Sequence, residues 1–223
     1  IALCTRSADR IQSRMTSVLD DIRIWVDKDG ANPAFDVRQM VEDLGGKGKR
    51  IGVEYHAYGL TAQRGKMVDA ALDGFCDPDD ASDLIRLLRL VKSPAELDYV
   101  RKAGALCDAA RDVANRMCAA GESVGAVYGE MQKVILAGDG DPSAARWPMG
   151  AGEEAMLVRY HTGLGTIAAR DQVMLEFAGT HRLYHAAMQY VVVTGEVDAR
   201  HERMLAACTA ALLTCAAASR AAA

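Results

Sequence analysis

Aromatic residues make up only 5% of this 223-residue chain, too few to build the stacking platforms on which single-stranded nucleic acids bind. Charge of one sign is not concentrated anywhere. The formal net charge is -4 at pH 7 and no block of like charges occurs, so neither a nucleic acid nor an anionic membrane finds an electrostatic footprint. The six cysteines, at 4, 76, 107, 118, 208 and 215, form no C-x-x-C and no Cys/His cluster with zinc spacing. They read as small buried hydrophobes in a reducing, cytoplasmic compartment. Long runs of large apolar side chains are missing too. Residues 204–223, "MLAACTAALLTCAAASRAAA", come nearest, but alanine dominates them. Met204, Leu205, Leu212 and Leu213 recur near helical spacing, so a buried helix is expected there in place of a membrane span. The chain starts inside a strand pattern and stops inside this helix, and further segments are expected on both sides.

What is present is a half-hydrophobic composition, enough for a core in one large or two small domains. Up to residue 91 short apolar runs alternate with helical patterns. "IALCT", "IRIWV" and "RIGVEY" read as strands. "RIQSRMTSVLDDI", "NPAFDVRQMVEDLGG" and "TAQRGKMVDAALDG" read as helices, the second with Asn32 as cap, Pro33 in its first turn and Gly45-Gly46 as its stop. This β-α-β-α order predicts an α/β domain, a sheet with covering helices. "DLIRLLRLV" is a helix or a strand, which periodicity does not decide. In "KSPAELDYVRKAG", Ser93, Pro94 and Glu96 make a capping box that opens a long amphipathic helix. The domain boundary is placed just before it: domain one covers 1–91 and domain two 92–223. A second helix follows in "SVGAVYGEMQKVILAGDG". "GDGDPSAARWPMGAGEE" is a Gly/Pro-rich loop of the kind that walls a pocket. "AMLVRYH", "DQVMLEFAG" and "YHAAMQYVVVTG" read as strands, the last two joined by "GTHR" as a hairpin. Helix resumes from residue 198.

One polar residue stands out. Glu176 interrupts the apolar strand "DQVMLEFA", sharing a face with Met174 and Ala178. If Ala178 pairs with Leu183 across the turn, Glu176 lies opposite His185. His161 ends the preceding strand, so His161, Glu176 and His185 are candidates to converge. Asp141 reads first as a turn aspartate before Pro142 and second as a substrate-orienting carboxylate. His181, in the turn, and His201, in a helix, are expected to be exposed, and His56 in "EYHAYG" to face solvent.

The order of the capped "KSPAELDYVRKAG" helix, the histidine of "YHTGLG" and "ARDQVMLEFAGTHRLYHAAMQYVVVTG" resembles the creatinase / aminopeptidase P / prolidase superfamily, the pita-bread hydrolases. The resemblance implies that 1–91 is the creatinase-type N-terminal domain and 92–223 the first half of the catalytic domain. It implies a hydrolase acting on C–N bonds, a small-molecule substrate and a homodimer. Family metallopeptidases hold two metal ions with two aspartates of this hairpin and with later residues. By motif count Glu176 occupies the first aspartate position, Ala187 the second, and Tyr190 stands where an arginine would be. Alanine cannot ligate a metal, so no normal dinuclear site is expected. "EFAGTHRLYHAAM" is similar to the phrase of ectoine hydrolase, a member that works without metal, at Glu176, Ala178, Gly179, Arg182, Tyr184 and His185. The resemblance therefore implies a metal-independent hydrolase with Glu176, His161 and His185 as catalytic residues and Tyr184, Arg182 and Asp141 as substrate-binding ones. No cofactor is expected in that case. Two alternatives stand beside it: a manganese- or zinc-dependent Xaa-Pro peptidase, and a non-catalytic pita-bread binding protein.

Overall fold

The computed structural model describes residues 1–221. The backbone gathers into two compact units, Ile1–Val91 and the chain from Lys92 onward. In the first unit, strands β1 (Ala2–Arg6) and β2 (Asp21–Trp25) pair in parallel, joined through helix α1 (Arg10–Thr16). Helix α2 (Pro33–Asp43) begins where the Asn32 side chain accepts the Ala34 N–H at 3.1 Å, with proline in its first turn, so the expected cap is present. Strand β3 (Arg50–Val53) pairs in parallel with β4 (Asp77–Asp80) across helix α3 (Ala62–Leu72). The sequence "DPDD" carries no strand signal, since Asp and Pro are both depleted in strands. Its pairing with β3, continued by the Asp77 N–H to Lys49 O bond (2.9 Å) and the Ala81 N–H to Val53 O bond (2.9 Å), makes it a strand. Leu84–Leu88 is helix α4, which settles the ambiguous apolar run.

The second unit opens with α5 (Pro94–Met117), started by the full capping box: Ser93 Oγ accepts from Glu96 N and Glu96 accepts from Ser93 N. Helix α6 (Val124–Ala137) follows, capped by Ser123. Strands β5 (Met149–Ala151), β6 (Asp171–His181) and β7 (Tyr184–Thr194) form an antiparallel sheet in that order. Two expectations fail here. The Gly/Pro-rich loop contains β5, whose three residues are buried. "AMLVRYH" is not a strand; a 3-10 turn (Gly152–Met156) runs into irregular chain. The pattern there is apolar, but the buried sheet position beside β6 is taken by Met149–Ala151. The core lies between this sheet and α5 and α6. Phe177, Leu175 and Val173 from β6 meet Val113, Val127, Met131 and Ile135 from the helices, with Trp147 and Met149 between them.

Helix α7 (Ala199–Ala221) closes the described chain; the last two residues of the predicted helix, 222 and 223, lie outside the described residues. It was expected to be buried, yet Met204, Leu205, Leu212 and Leu213 are exposed. Helical spacing makes an apolar stripe, but a stripe is buried only when another element faces it, and among the described residues none lies along it. Nor is any described helix long and apolar enough to cross a membrane. The cysteines divide similarly: Cys107 and Cys118 are buried, Cys208 and Cys215 on α7 exposed.

Candidate functional site

The site is built on the β6–β7 hairpin. Its turn is the pair Arg182-Leu183, both in the left-handed region (φ 48° and 65°), the geometry of a two-residue hairpin turn that matches strand twist. The expected turn, "GTHR", lies too early. Gly179 is a strand residue: a Cβ there would overlap Ala103 O and Cys107 N of α5, so this glycine lets the sheet touch the helix backbone. The turn is held from outside. Asp141 Oδ2 accepts the Leu183 N–H at 3.1 Å and Arg182 Nη2 pairs with Asp139 at 3.3 Å.

Moving the turn changes the register. Ala178 pairs with Ala187 and Glu176 with Gln189; His185 pairs with Thr180. The expected Glu176–His185 opposition is therefore wrong by four positions. Because four is even, both side chains keep one face, but about 13 Å of strand separates their rows at ~3.3 Å per residue. Val173, Leu175 and Phe177 are buried on the helix-facing side. The other side carries Glu176, half-buried, with exposed Gln189, Ala187 and His185. Gln189 Nε2 donates to Glu176 Oε2 at 3.3 Å, and the Glu176 N–H donates to Pro148 O at 2.9 Å.

The remaining candidates disperse. His185 Nδ1 meets Leu183 O at 2.9 Å and its Nε2 accepts the Ala144 N–H at 3.0 Å. A carbonyl can only accept and an amide only donate, so this imidazole is the neutral Nδ1–H tautomer with both nitrogens engaged. His161 follows the 3-10 turn. Its side chain is 18% exposed, its Nε2 lies 3.6 Å from Glu154 Oε2, and neither ring nitrogen has a hydrogen-bond partner. No hydrogen bond or ion pair joins it to Glu176 or His185 among the described residues. Tyr184 lies on the opposite face from Glu176. Its hydroxyl donates to Glu96 Oε1 at 2.9 Å and its ring stacks on Tyr99 with centroids 5.6 Å apart. The bonds from Ser93, with the one from the Tyr184 hydroxyl, pull the Glu96 carboxyl down to about 2. Arg182 and Asp141 serve the turn, as above. His181, expected exposed, is buried at the end of β6, where its Nδ1 donates to Asp139 O at 2.8 Å beside the Tyr99 ring. His201 is half-buried, its Nε2 3.2 Å from Gln172 Oε1, while His56 is exposed as expected.

Three residues were not anticipated: Gln189 beside Glu176, Glu154 beside His161, and Asp139 at the turn. Gln189 was findable, since placing the turn at Arg182-Leu183 puts it opposite Glu176. Glu154 and Asp139 act across irregular chain and leave no periodic signal.

Alternation also locates Ala187. It sits one row from Gln189 on the same face as Glu176, the diagonal relationship in which side chains of adjacent strands reach each other. A methyl group stands there, with no lone pair to offer beside Glu176.

Comparison with known proteins decides the family. Residues 98–223 match metallopeptidase family M24. The chain belongs to this family. It is 27% identical over 200 residues to an uncharacterized hydrolase/peptidase, y4tM, of Sinorhizobium fredii, covering 85% of this chain and 51% of that protein. The fold is similar to that of the Xaa-Pro dipeptidase from Bacillus anthracis (TM-score 0.71, 20% identity, 90% of this chain and 54% of the other). It is also similar to a prolidase from Thermococcus sibiricus (TM-score 0.73, 14% identity, 90% and 53%). The pita-bread architecture expected from the sequence is thus present, and the chain spans about half the length of these relatives.

For an M24 protein the question is whether the residues present fit a divalent pair. They do not. Glu176 alone offers a carboxylate on the open hairpin face, Ala187 offers no lone pair, and among the described residues no group of three or more His, Cys, Asp or Glu could hold a metal. One carboxylate does not offset the repulsion between two divalent cations.

Proposed function

We propose that this M24 protein is a hydrolase that cleaves a C–N bond in a small polar metabolite without a dinuclear metal centre, with Glu176 as its proton-transferring group. The observation that carries this reading is the placing of a carboxylate at 176 and an alanine at 187 one row apart on one hairpin face. Gln189 occupies one carboxylate oxygen and orients the group, leaving Oε1 without a hydrogen bond among the described residues. In the reaction, Glu176 takes a proton from the attacking water as its oxygen bonds to the scissile carbon. It then returns that proton to the leaving nitrogen as the C–N bond breaks. His161, with two unengaged ring nitrogens, is the group in this reading that orients the substrate. His185, with both nitrogens committed, holds the 142–145 loop to the hairpin and moves no proton. The homodimer that the resemblance implies and the cytoplasmic location expected from the cysteines belong to the same reading.

A second reading is favoured by the family match and by the Xaa-Pro dipeptidase and prolidase folds: a manganese- or zinc-dependent Xaa-Pro peptidase. A third is a pita-bread protein that binds its ligand without turnover. Metal content of the full-length protein, purified with manganese and zinc and measured by elemental mass spectrometry, separates the first two. Near-zero stoichiometry with turnover of a cyclic amidine, ectoine being the first to test, supports the proposal. Two metals per chain with turnover of Xaa-Pro dipeptides overturns it. Binding without turnover of either class supports the third reading.

A further inference from the structure

A cleft in the first unit is lined by none of the hairpin residues. It has a volume of about 660 Å³, and its lining includes Arg6, Trp25, Asp27, Arg64 and Met67. Arg6 ends β1, Trp25 ends β2, and the two strands are parallel. The cleft therefore opens at the carboxyl ends of parallel strands, where open α/β sheets bind ligands. Its size is that of a small-molecule site.

The lining carries both signs of charge. Arg6 is largely neutralised: its Nε pairs with Asp9 at 3.0 Å, outside the cleft, and its Nη1 lies 3.9 Å from Asp27. Arg64 donates from Nη1 to Gly59 O at 3.3 Å and makes no ion pair among the described residues, so it brings an uncompensated cation. Asp27 is exposed, with only the distant Arg6 contact among the described residues, so it brings an anion. The same lining carries an indole, a thioether, an alanine and a proline. A simple anion would be repelled by Asp27 and a simple cation by Arg64. A molecule with one charge of each sign and an apolar body satisfies all three surfaces.

We infer that this cleft of the first unit binds a small apolar amino acid as its zwitterion, with the carboxylate on Arg64, the ammonium on Asp27 and the side chain against Trp25 and Met67. The inference does not depend on the hairpin chemistry, because no residue of the hairpin lines the cleft.

Trp25 supplies the reporter. L-leucine titrated into the full-length protein should give saturable heat by calorimetry and a saturable change in tryptophan fluorescence at millimolar concentration or below. The fluorescence change should vanish in Trp25→Phe. N-acetyl-L-leucine, which lacks the ammonium, and L-leucinamide, which lacks the carboxylate, should each bind at least about tenfold more weakly, the effect of losing one charged hydrogen bond. Arg64→Gln and Asp27→Asn should do the same; both side chains are exposed, and unchanged thermal unfolding shows that the variants fold. No saturable leucine binding overturns the inference. Equal binding of the acetyl or amide compound overturns it as well, because the cleft would then read only one charge.

Discussion

Glu176 and Ala187 stand one row apart on the same face of a single hairpin, since Glu176 pairs with Gln189 and Ala178 with Ala187. A carboxylate stands on the open face, and its diagonal neighbour across the strands is a methyl group.

Restoring the pair is the direct test of that relationship. In Ala187→Asp two carboxylates face each other diagonally and repel. The variant should unfold at a lower temperature than wild type in chelator, and manganese should recover the loss. A ligand at a hundredfold its Kd adds about 2.7 kcal/mol of stability. Wild type should show no comparable manganese shift; thermal unfolding with and without the ion measures both.

Removing the remaining carboxylate should remove the chemistry. Glu176→Gln keeps the shape and the contact with Gln189 but cannot accept a proton. Turnover should fall by about 10²–10⁴-fold, the usual contribution of a general acid–base group. Because Glu176 is half-buried on an open face, circular dichroism and unfolding temperature should stay near wild type.

Gly179→Ala should be costly although it adds one methyl. The new Cβ would overlap backbone atoms Ala103 O and Cys107 N, which cannot rotate away. Urea unfolding should show a loss of at least about 1–3 kcal/mol, the usual cost of overpacking.

Leu183→Gly should act in the opposite direction. Leu183 is 77% exposed, so little packing is lost, and its left-handed backbone carries a penalty of roughly 1–2 kcal/mol. Glycine removes the penalty but adds unfolded-chain freedom of roughly 0.5–1 kcal/mol. A net gain of about 0.5–1 kcal/mol is expected in the same urea assay.

Acid should loosen the start of α5. The Glu96 carboxyl is lowered from 4.5 to about 2 by bonds from Ser93 and Tyr184. A depressed folded-state value means that the stabilisation is complete above 4.5 and is lost as pH falls towards 2. In Glu96→Gln this part of the acid dependence should disappear. Hydrogen exchange of the first turn of α5 between pH 5 and pH 2 reads it directly.

Legibility followed the range of the interactions. The capping box of Ser93 and Glu96, the Asn32 cap and the helical patterns of α2, α3, α5 and α6 depend on residues three or four apart, and all were readable. The hairpin was readable as a hairpin, and the face of Glu176 survived a misplaced turn because the register error was even. Its partner did not survive. Gly179 looks like a turn residue until α5 is seen pressed against it. The "DPDD" strand exists because β3 lies beside it, and the buried "MGA" strand sits inside a stretch whose composition says loop. His181 was misjudged for the same reason: the residue ends β6 beneath Tyr99 and Asp139 and is not in the turn.

The sequence alone determined the M24 relationship, the capped helices and the presence of a methyl group at 187, because motif spacing and side-chain chemistry are written along one chain. Tertiary structure decided which residues meet. Gln189 orients Glu176, two backbone groups fix the tautomer of His185, and Tyr184 turns away to cap-forming Glu96. Those outcomes depend on where two carboxylates, Asp139 and Asp141, hold a two-residue turn, and on a helix backbone that only a glycine lets the sheet touch.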